Sequence, residues 1–274
     1  ATSVAEAGSL VVRTHEEYEA AVRAVIPVLR ERMYTAGDTR TRWAVQRVCT
    51  RVHRQLVSQR VLVSHLRSAI EDQTVPSGAM AHASCDLVKL TEAAATDAQL
   101  AAREKHGDAP AIVFDAPDSS AEALARRCCT VASYVYFCLM EILKNAAGAH
   151  VQRFGVLDLC DAPPVRVRVA ADSGLACVRV TDHGGGMSPE VRHSSLAYFY
   201  TTHAEREPTY THSRAFGEAF AGLGVGLPLA AAHARFLGGD VALASMPGDG
   251  VSVHLTIDRL GGQRTDPPAH EDEF

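Results

Sequence analysis

The sequence predicts an α+β fold in which an N-terminal helical bundle precedes a mixed β-sheet with helices on one face. Two observations support this prediction. Residues 16–105 carry apolar side chains at three- and four-residue steps, the period of an amphipathic helix. From residue 111 onward, short alternating or apolar runs indicate strands. We predict a helical domain at 1–110, an α/β sandwich domain at 111–260 and a polar tail at 261–274.

Composition excludes several classes of protein. The chain has 274 residues, of which 47% are hydrophobic and 22% charged, so it is neither intrinsically disordered nor too short for a packed core. Its formal net charge of -5 argues against nucleic-acid binding, which favours a basic surplus. Because no run of about 18 apolar residues occurs, we expect no membrane span. The seven cysteines contain no Cys-x-x-Cys pair, which favours a reducing compartment.

Three helices are predicted in the N-terminal segment. The first covers residues 16–33, and Asp38 or Thr39 can cap a second helix over 40–70. A third helix is predicted from Ala81 to Lys105. Antiparallel helices with short connections form bundles, so we expect a three-helix bundle, or a four-helix bundle if a further helix precedes Ala1.

The second half alternates strands with helices. A helix is predicted within 121–151 and another over 227–237. The turns at 172–174 and 247–250 are rich in Asp and Gly and join neighbouring strands. The predicted strands are 111–114, 165–169, 175–180, 241–244 and 251–257.

The helix over 131–151 carries the first candidate chemistry. It is apolar nearly all round, which indicates burial, yet Glu141, Lys144 and Asn145 share one face at i, i+3 and i+4. Buried charges need partners, so one interpretation is a structural Glu–Lys pair. The other is a magnesium site, because a neutral oxygen ligand beside a carboxylate suits a hydrated Mg²⁺ that also binds phosphate.

Two glycine-rich segments are the second and third candidate parts of a functional site. A strand ends at Asp182, and Gly184–Gly186 follow. One interpretation is that the backbone approaches a flat ligand here while the carboxylate accepts an adenine amino hydrogen. The alternative is an Asp-Gly turn that closes the strand. The run Gly222-x-Gly-x-Gly226 precedes a helix with Pro228 near its start, where backbone N–H groups can bind phosphate. Its spacing matches neither the dinucleotide fingerprint nor a P-loop.

Taken in order, these segments resemble the Bergerat-fold (GHKL) ATPases. Within that group the chain resembles the mitochondrial α-ketoacid dehydrogenase kinases, over about residues 17–258. The resemblance depends on five sequence motifs: EILKNA at 141–146, GLGVGLP at 222–228, RFLGGD at 235–240, RVLVSH at 60–65 and KHGDAP at 105–110.

The resemblance implies a role for each site residue. Glu141 would be the general base for a serine hydroxyl, and Lys144 would modulate Glu141 or contact phosphate. Asn145 would hold Mg²⁺. Asp182 would accept the adenine amino hydrogen. The other implied nucleotide contacts line the base pocket or flank a lid at 188–221: Gly184, Gly186, Met187, Thr201, Thr202, Gly222, Leu223, Gly224, Val225, Gly226 and Leu227.

The resemblance further implies an ATP- and Mg²⁺-dependent protein serine kinase of the mitochondrial matrix. Its substrate would be the decarboxylase subunit of an α-ketoacid dehydrogenase complex, which phosphorylation inactivates. The branched-chain complex is preferred for two reasons. Phe137 replaces a histidine of the pyruvate branch, and the Trp-containing tail motif of that branch is absent, since Trp43 is the only tryptophan. A homodimer and K⁺ dependence are also implied. The lipoyl-bearing acyltransferase core would be a second partner, but we expect the N-terminal region with which the family docks it to be shortened in this sequence, which argues against that contact.

One further departure from the family and two alternatives remain. Val251 replaces a threonine of the family near the adenine, and His65 invites comparison with a sensor-type histidine kinase. In that comparison Leu66 replaces the usual acidic residue and Ala69 the usual proline. The second alternative is another Bergerat-fold ATPase or an ATP-dependent scaffold, since the same glutamate serves ATP hydrolysis elsewhere in the fold.

Overall fold

The computed structural model describes residues 4–71, 81–116, 119–202 and 223–261. The helices are α1 (Val4–Thr35), α2 (Thr39–Glu71), α3 (Leu87–His106), α4 (Ser119–Ala125), α5 (Ala132–Phe154), α6 (Pro189–Ser194) and α7 (Gly226–Phe236). The strands are β1 (Ala81–Cys85), β2 (Ile112–Phe114), β3 (Cys128–Val131), β4 (Val165–Ala171), β5 (Leu175–Thr181), β6 (Asp240–Met246) and β7 (Gly250–Asp258). The predicted α+β class is confirmed. None of the helices in these ranges is long and apolar enough to cross a membrane.

Five strands form the main sheet, in the order β2-β4-β5-β7-β6. β2 runs parallel to β4, and the other neighbours are antiparallel, so the sheet is mixed as predicted. Valines alternate with arginines along β4, and the valines are buried while Arg166 and Arg168 are exposed. The register pairs Val167 with Val180 and Val180 with Val253, so one apolar stripe crosses the sheet.

Helices α5 and α7 cover this apolar face. Leu139, Ile142 and Leu143 of α5 are almost fully buried and belong to the same core as the sheet valines. α3 packs beside α5, also contacts β4, and contributes its alanines to that core. α5 therefore contacts the sheet, α3 and α7.

The prediction for the third helix is wrong in two respects. Residues 81–85 form β1, which pairs antiparallel with β3, and the helix begins at Leu87 because the Asp86 side chain accepts a hydrogen bond from Lys89 N at 3.1 Å. Moreover, α3 packs against α5, whereas α1 and α2 pack against each other, so the three do not form one bundle. The domain division near residue 110 stays a prediction.

Two further boundaries differ from the predictions. The first helix begins at Val4, well before residue 16. The single helix predicted within 121–151 is preceded by α4 and β3, and α5 continues to Phe154.

A buried carboxylate joins α1 to α2. Glu19 is 8% exposed and accepts from Arg60 Nη2 at 3.1 Å and from Arg23 Nη2 at 3.0 Å, with His15 Nε2 at 3.1 Å. Burial opposes ionisation of Glu19, but the hydrogen bond and charge of Arg60 outweigh it, so the pKa lies below its usual value. The helix pair is therefore fixed by electrostatics as well as by apolar packing.

Candidate active site

The acidic and basic residues of α5 meet as the spacing predicts. The Lys144 ammonium donates to Glu141 Oε1, and the Glu141 side chain is only 14% exposed. Asn145 follows on the same face and is exposed. α5 therefore presents a largely buried carboxylate, its ammonium partner and an accessible carboxamide at one place.

Asp182 follows the last residue of β5 and is 6% exposed. Its Oδ1 accepts from Gly184 N at 2.8 Å and from Val251 N at 3.3 Å. Burial raises the pKa of Asp182, and these two hydrogen bonds oppose the rise. Both bonds end on Oδ1, so Oδ2 is the oxygen to which an adenine amino group could donate. Val251 contributes through its backbone, which the missing threonine hydroxyl does not change.

The loop after Asp182 is wedged between α5 and the β6–β7 hairpin. A Cβ at Gly184 would lie 2.9 Å from the backbone carbon of Ala149, and one at Gly186, whose φ is 70°, would lie 2.7 Å from the backbone carbon of Met246. Met187 N donates to Ser245 Oγ at 2.7 Å. Packing is sufficient to explain these glycines, and their contact with adenine stays a prediction.

The second glycine-rich segment reaches α5 directly. Gly226 opens α7, and a Cβ there would overlap Glu141 Oε2 and lie 3.0 Å from its Cδ. The side chains of Leu223 and Val225 are each 2% exposed and pack with α1 and α2, so these two residues can face a ligand only through their backbone. Leu227 is half-buried against the main core.

The predicted lid is described only in part. Residues 188–202 comprise α6 and the segment that follows it, in which Tyr198 and Phe199 are buried. Thr201 is half-buried and Thr202 is exposed at the end of this segment. Gly222 and the rest of the lid lie outside the described residues.

One residue that supports the loop was not among the predicted site residues. Arg153, in the last turn of α5, donates through Nη1 to His183 O at 2.7 Å and to Asp249 O at 2.6 Å. It joins α5, the Asp182 loop and the β6–β7 turn. A lone arginine near a helix end gives no signal for such a contact.

The metal-binding potential of the site is limited to oxygen donors. Within the described ranges, no group of three or more His, Cys, Asp and Glu side chains could hold a metal ion. Asn145 offers an exposed carboxamide oxygen within one turn of Glu141. This donor set fits Mg²⁺ that binds mostly through phosphate oxygens and water.

Comparison with known proteins agrees with this geometry. The family model described as histidine kinase-, DNA gyrase B-, and HSP90-like ATPase matches residues 131–260. The mitochondrial pyruvate dehydrogenase (acetyl-transferring) kinase of Schizosaccharomyces pombe is 33% identical over 187 residues, 64% of this chain and 41% of that protein. The enzyme of the same name in Drosophila melanogaster is 25% identical over 237 residues, 82% of this chain and 55% of that protein.

The chain fits the pyruvate dehydrogenase kinase-like family, with a GHKL ATPase domain at 131–260. The predicted family is confirmed. The matched GHKL domain contains Glu141, Asn145, Asp182 and the turn before α7. The chain spans about two fifths to just over half the length of these relatives.

Proposed function

We propose that this chain is an ATP- and Mg²⁺-dependent protein kinase. The observation that carries the proposal is the contact between Glu141 and Gly226, which places a carboxylate at the N-terminus of α7. A helix N-terminus favours phosphate through its free N–H groups and its dipole. A carboxylate at that place is suited to hold an attacking hydroxyl beside the phosphate that it attacks.

Each residue then has one task. Asp182 Oδ2 accepts the adenine amino hydrogen, and the backbone N–H groups at residues 224–227 donate to phosphate oxygens. Asn145 contributes an oxygen to Mg²⁺, which neutralises phosphate charge when it is bound. Glu141 orients the hydroxyl of a serine substrate and accepts its proton. Lys144 donates to Glu141 and balances its charge.

The substrate class is inferred from the relatives, whose names identify them as mitochondrial pyruvate dehydrogenase kinases. We propose the decarboxylase subunit of an α-ketoacid dehydrogenase complex as the substrate, phosphorylated on serine in the mitochondrial matrix. The branched-chain preference depends on Phe137, which packs against the His233 ring with centroids 4.9 Å apart. Homodimerisation, K⁺ dependence and contact with the lipoyl-bearing acyltransferase remain parts of this proposal.

A transfer assay tests the proposal. The chain is incubated with radiolabelled ATP, Mg²⁺ and either the branched-chain or the pyruvate decarboxylase subunit, with Glu141→Gln as the inactive control. Acid-stable phosphoserine on a subunit, faster on the branched-chain one, is the expected result. Transfer to the pyruvate subunit alone would contradict only the preference.

Two outcomes would overturn the kinase assignment itself. Acid-labile phosphate on His65, which is half-buried on α2, would indicate a histidine kinase. Release of inorganic phosphate without transfer to either subunit would indicate an ATPase.

A further inference from the structure

The α1–α2 pair is hydrogen-bonded to the backbone of residues 198–199, which lie beside the glycine-rich turn at 223–226. Gln46 of α2 donates through Nε2 to Tyr198 O at 2.8 Å, and its Oε1 accepts from Tyr198 N at 2.8 Å. A carboxamide carries an NH₂ group that donates and an oxygen that accepts, so it can pair with both backbone groups of one residue as a neighbouring strand would. This bond joins positions 152 residues apart in the chain.

The segment that Gln46 holds has an unusual backbone. Among the described residues, Phe199 is the one non-glycine residue with a left-handed φ, at 67°. Such a conformation persists only where neighbours fix it. Tyr34 of α1 donates to Phe199 O at 2.6 Å, and the His53 ring of α2 stacks on Tyr198 with centroids 5.0 Å apart. Both helices therefore fix this turn.

The segment at 198–200 also contacts the glycine-rich turn, which forms the phosphate side of the candidate site. Phe199 N donates to Gly224 O at 2.8 Å, and a Cβ at Gly224 would lie 2.9 Å from the backbone carbon of Phe199. Gly226 lies two residues further on and contacts Glu141. A continuous series of contacts thus runs from Gln46 through Phe199 and the glycines to the carboxylate.

We infer that Gln46 is a positioning residue for the nucleotide, acting through residues 198–200 on the glycine-rich turn that faces the triphosphate. This inference rests on the proposed function and adds a residue outside the matched ATPase domain. The described hydrogen bonds of Gln46 end on Tyr198 and Met33. On the adenine side, Asp182 accepts instead from Gly184 N and Val251 N. The effect of Gln46 should therefore fall on phosphates rather than on the base.

The test compares two ligands on the full chain. Affinity for a non-hydrolysable ATP analogue with Mg²⁺, and for adenosine by competition, is measured for the wild type, Gln46→Leu and Gln55→Leu. Gln55 is exposed on the same helix and serves as the matched control. For Gln46→Leu we expect affinity for the analogue to fall about tenfold, as for the loss of one to two hydrogen bonds, with adenosine unchanged. Gln55→Leu should change neither.

The outcomes separate this inference from the proposed function. Equal weakening of both ligands by Gln46→Leu, or no change in either, would overturn the inference while the nucleotide site stands. Failure of the wild type to bind the analogue would overturn the proposed function. Should Gln46→Leu fail to fold, Tyr34→Phe removes only the hydroxyl that donates to Phe199, and a smaller loss for the analogue alone is expected.

Discussion

Glu141 and Gly226 approach each other so closely that no side chain fits between them. A Cβ at position 226 would overlap one carboxylate oxygen of Glu141 and lie 3.0 Å from Cδ. The first turn of α7 and the charged face of α5 are therefore fixed relative to each other. This contact sets the distance between the proposed base and the N–H groups proposed to bind phosphate.

Gly226→Ala tests this contact. We expect phosphoryl transfer to fall about 100-fold or more, because a small displacement of a catalytic carboxylate has effects of that size. The control is Gly148→Ala in α5, where an added Cβ meets nothing within 4 Å. That variant should retain activity and gain about 0.5–1 kcal/mol of stability, the usual advantage of alanine over glycine within a helix. Transfer rates and urea unfolding measure the two effects.

Asp182→Asn should separate stability from binding. Burial raises the pKa of Asp182, so the folded state disfavours the charged form, and its contribution to stability is lost as pH rises through the raised pKa. The neutral variant should be more stable than the wild type at pH 7. This difference in stability should disappear as pH falls below the ordinary pKa of an aspartate. Thermal unfolding at several pH values measures this difference.

The same variant should bind ATP more weakly. An amide nitrogen in place of Oδ2 would face the adenine amino group, so affinity should fall roughly 10- to 100-fold. Asp172→Asn is the control, since Asp172 also accepts from two backbone N–H groups, each at 2.7 Å, but in the β4–β5 turn. An unchanged ATP affinity in Asp182→Asn would mean that the adenine assignment is wrong.

Two buried histidines should make the fold acid-sensitive. Burial lowers the pKa of His53 and of His233 to about 4 each. Their contribution to stability is full above the unfolded value of 6.5 and is lost as pH falls from there to about 4, on the order of 3 kcal/mol for each.

His233→Phe checks this expectation. Phenylalanine keeps a ring against Tyr134, whose centroid lies 4.5 Å from that of His233, but cannot take up a proton. The urea midpoint of the variant should change less between pH 7 and pH 4 than that of the wild type. His193→Phe, at an exposed position, should leave the pH dependence as it is. If the urea midpoint of His233→Phe changes with pH as much as that of the wild type, His233 is not a source of the acid sensitivity.

Arg153→Met should loosen the adenine side of the site. It removes both hydrogen bonds to His183 O and Asp249 O, and since Arg153 is exposed we expect a loss of only about 1 kcal/mol of stability. Affinity for adenosine should fall with it. Arg166→Met, which removes an exposed pair with Asp115 on the other face of the sheet, should leave adenosine binding intact. If both variants bind adenosine equally well, Arg153 does not support the loop.

Local patterns were sufficient to predict much of the architecture. Alternation along β4 and β5 and the Asp172 and Pro247 turns give the correct strands, because the period of a half-buried strand is visible in a few residues. The i, i+3, i+4 spacing likewise predicts the grouping of Glu141, Lys144 and Asn145. Residues 81–85 mislead, since only pairing with the distant β3 makes them a strand.

Contacts between distant parts of the chain could not be predicted in this way. Glycine content indicates close approach but not its partner, so the contact of Gly226 with Glu141 and that of Gly186 with Met246 required the structure. The pairing of Gln46 with Tyr198 spans 152 residues and leaves no periodic signal. The docking of α3 on α5 is equally invisible, because an amphipathic helix does not specify which neighbour covers it.

The most direct test of the ATP site is a calorimetric titration with a non-hydrolysable ATP analogue and Mg²⁺. We predict saturable one-to-one binding by the wild type, clearly weaker binding by Asp182→Asn, and binding retained by Glu141→Gln, which should lose only transfer. Absence of binding heat in the wild type, or equal affinity in Asp182→Asn and the wild type, would contradict it.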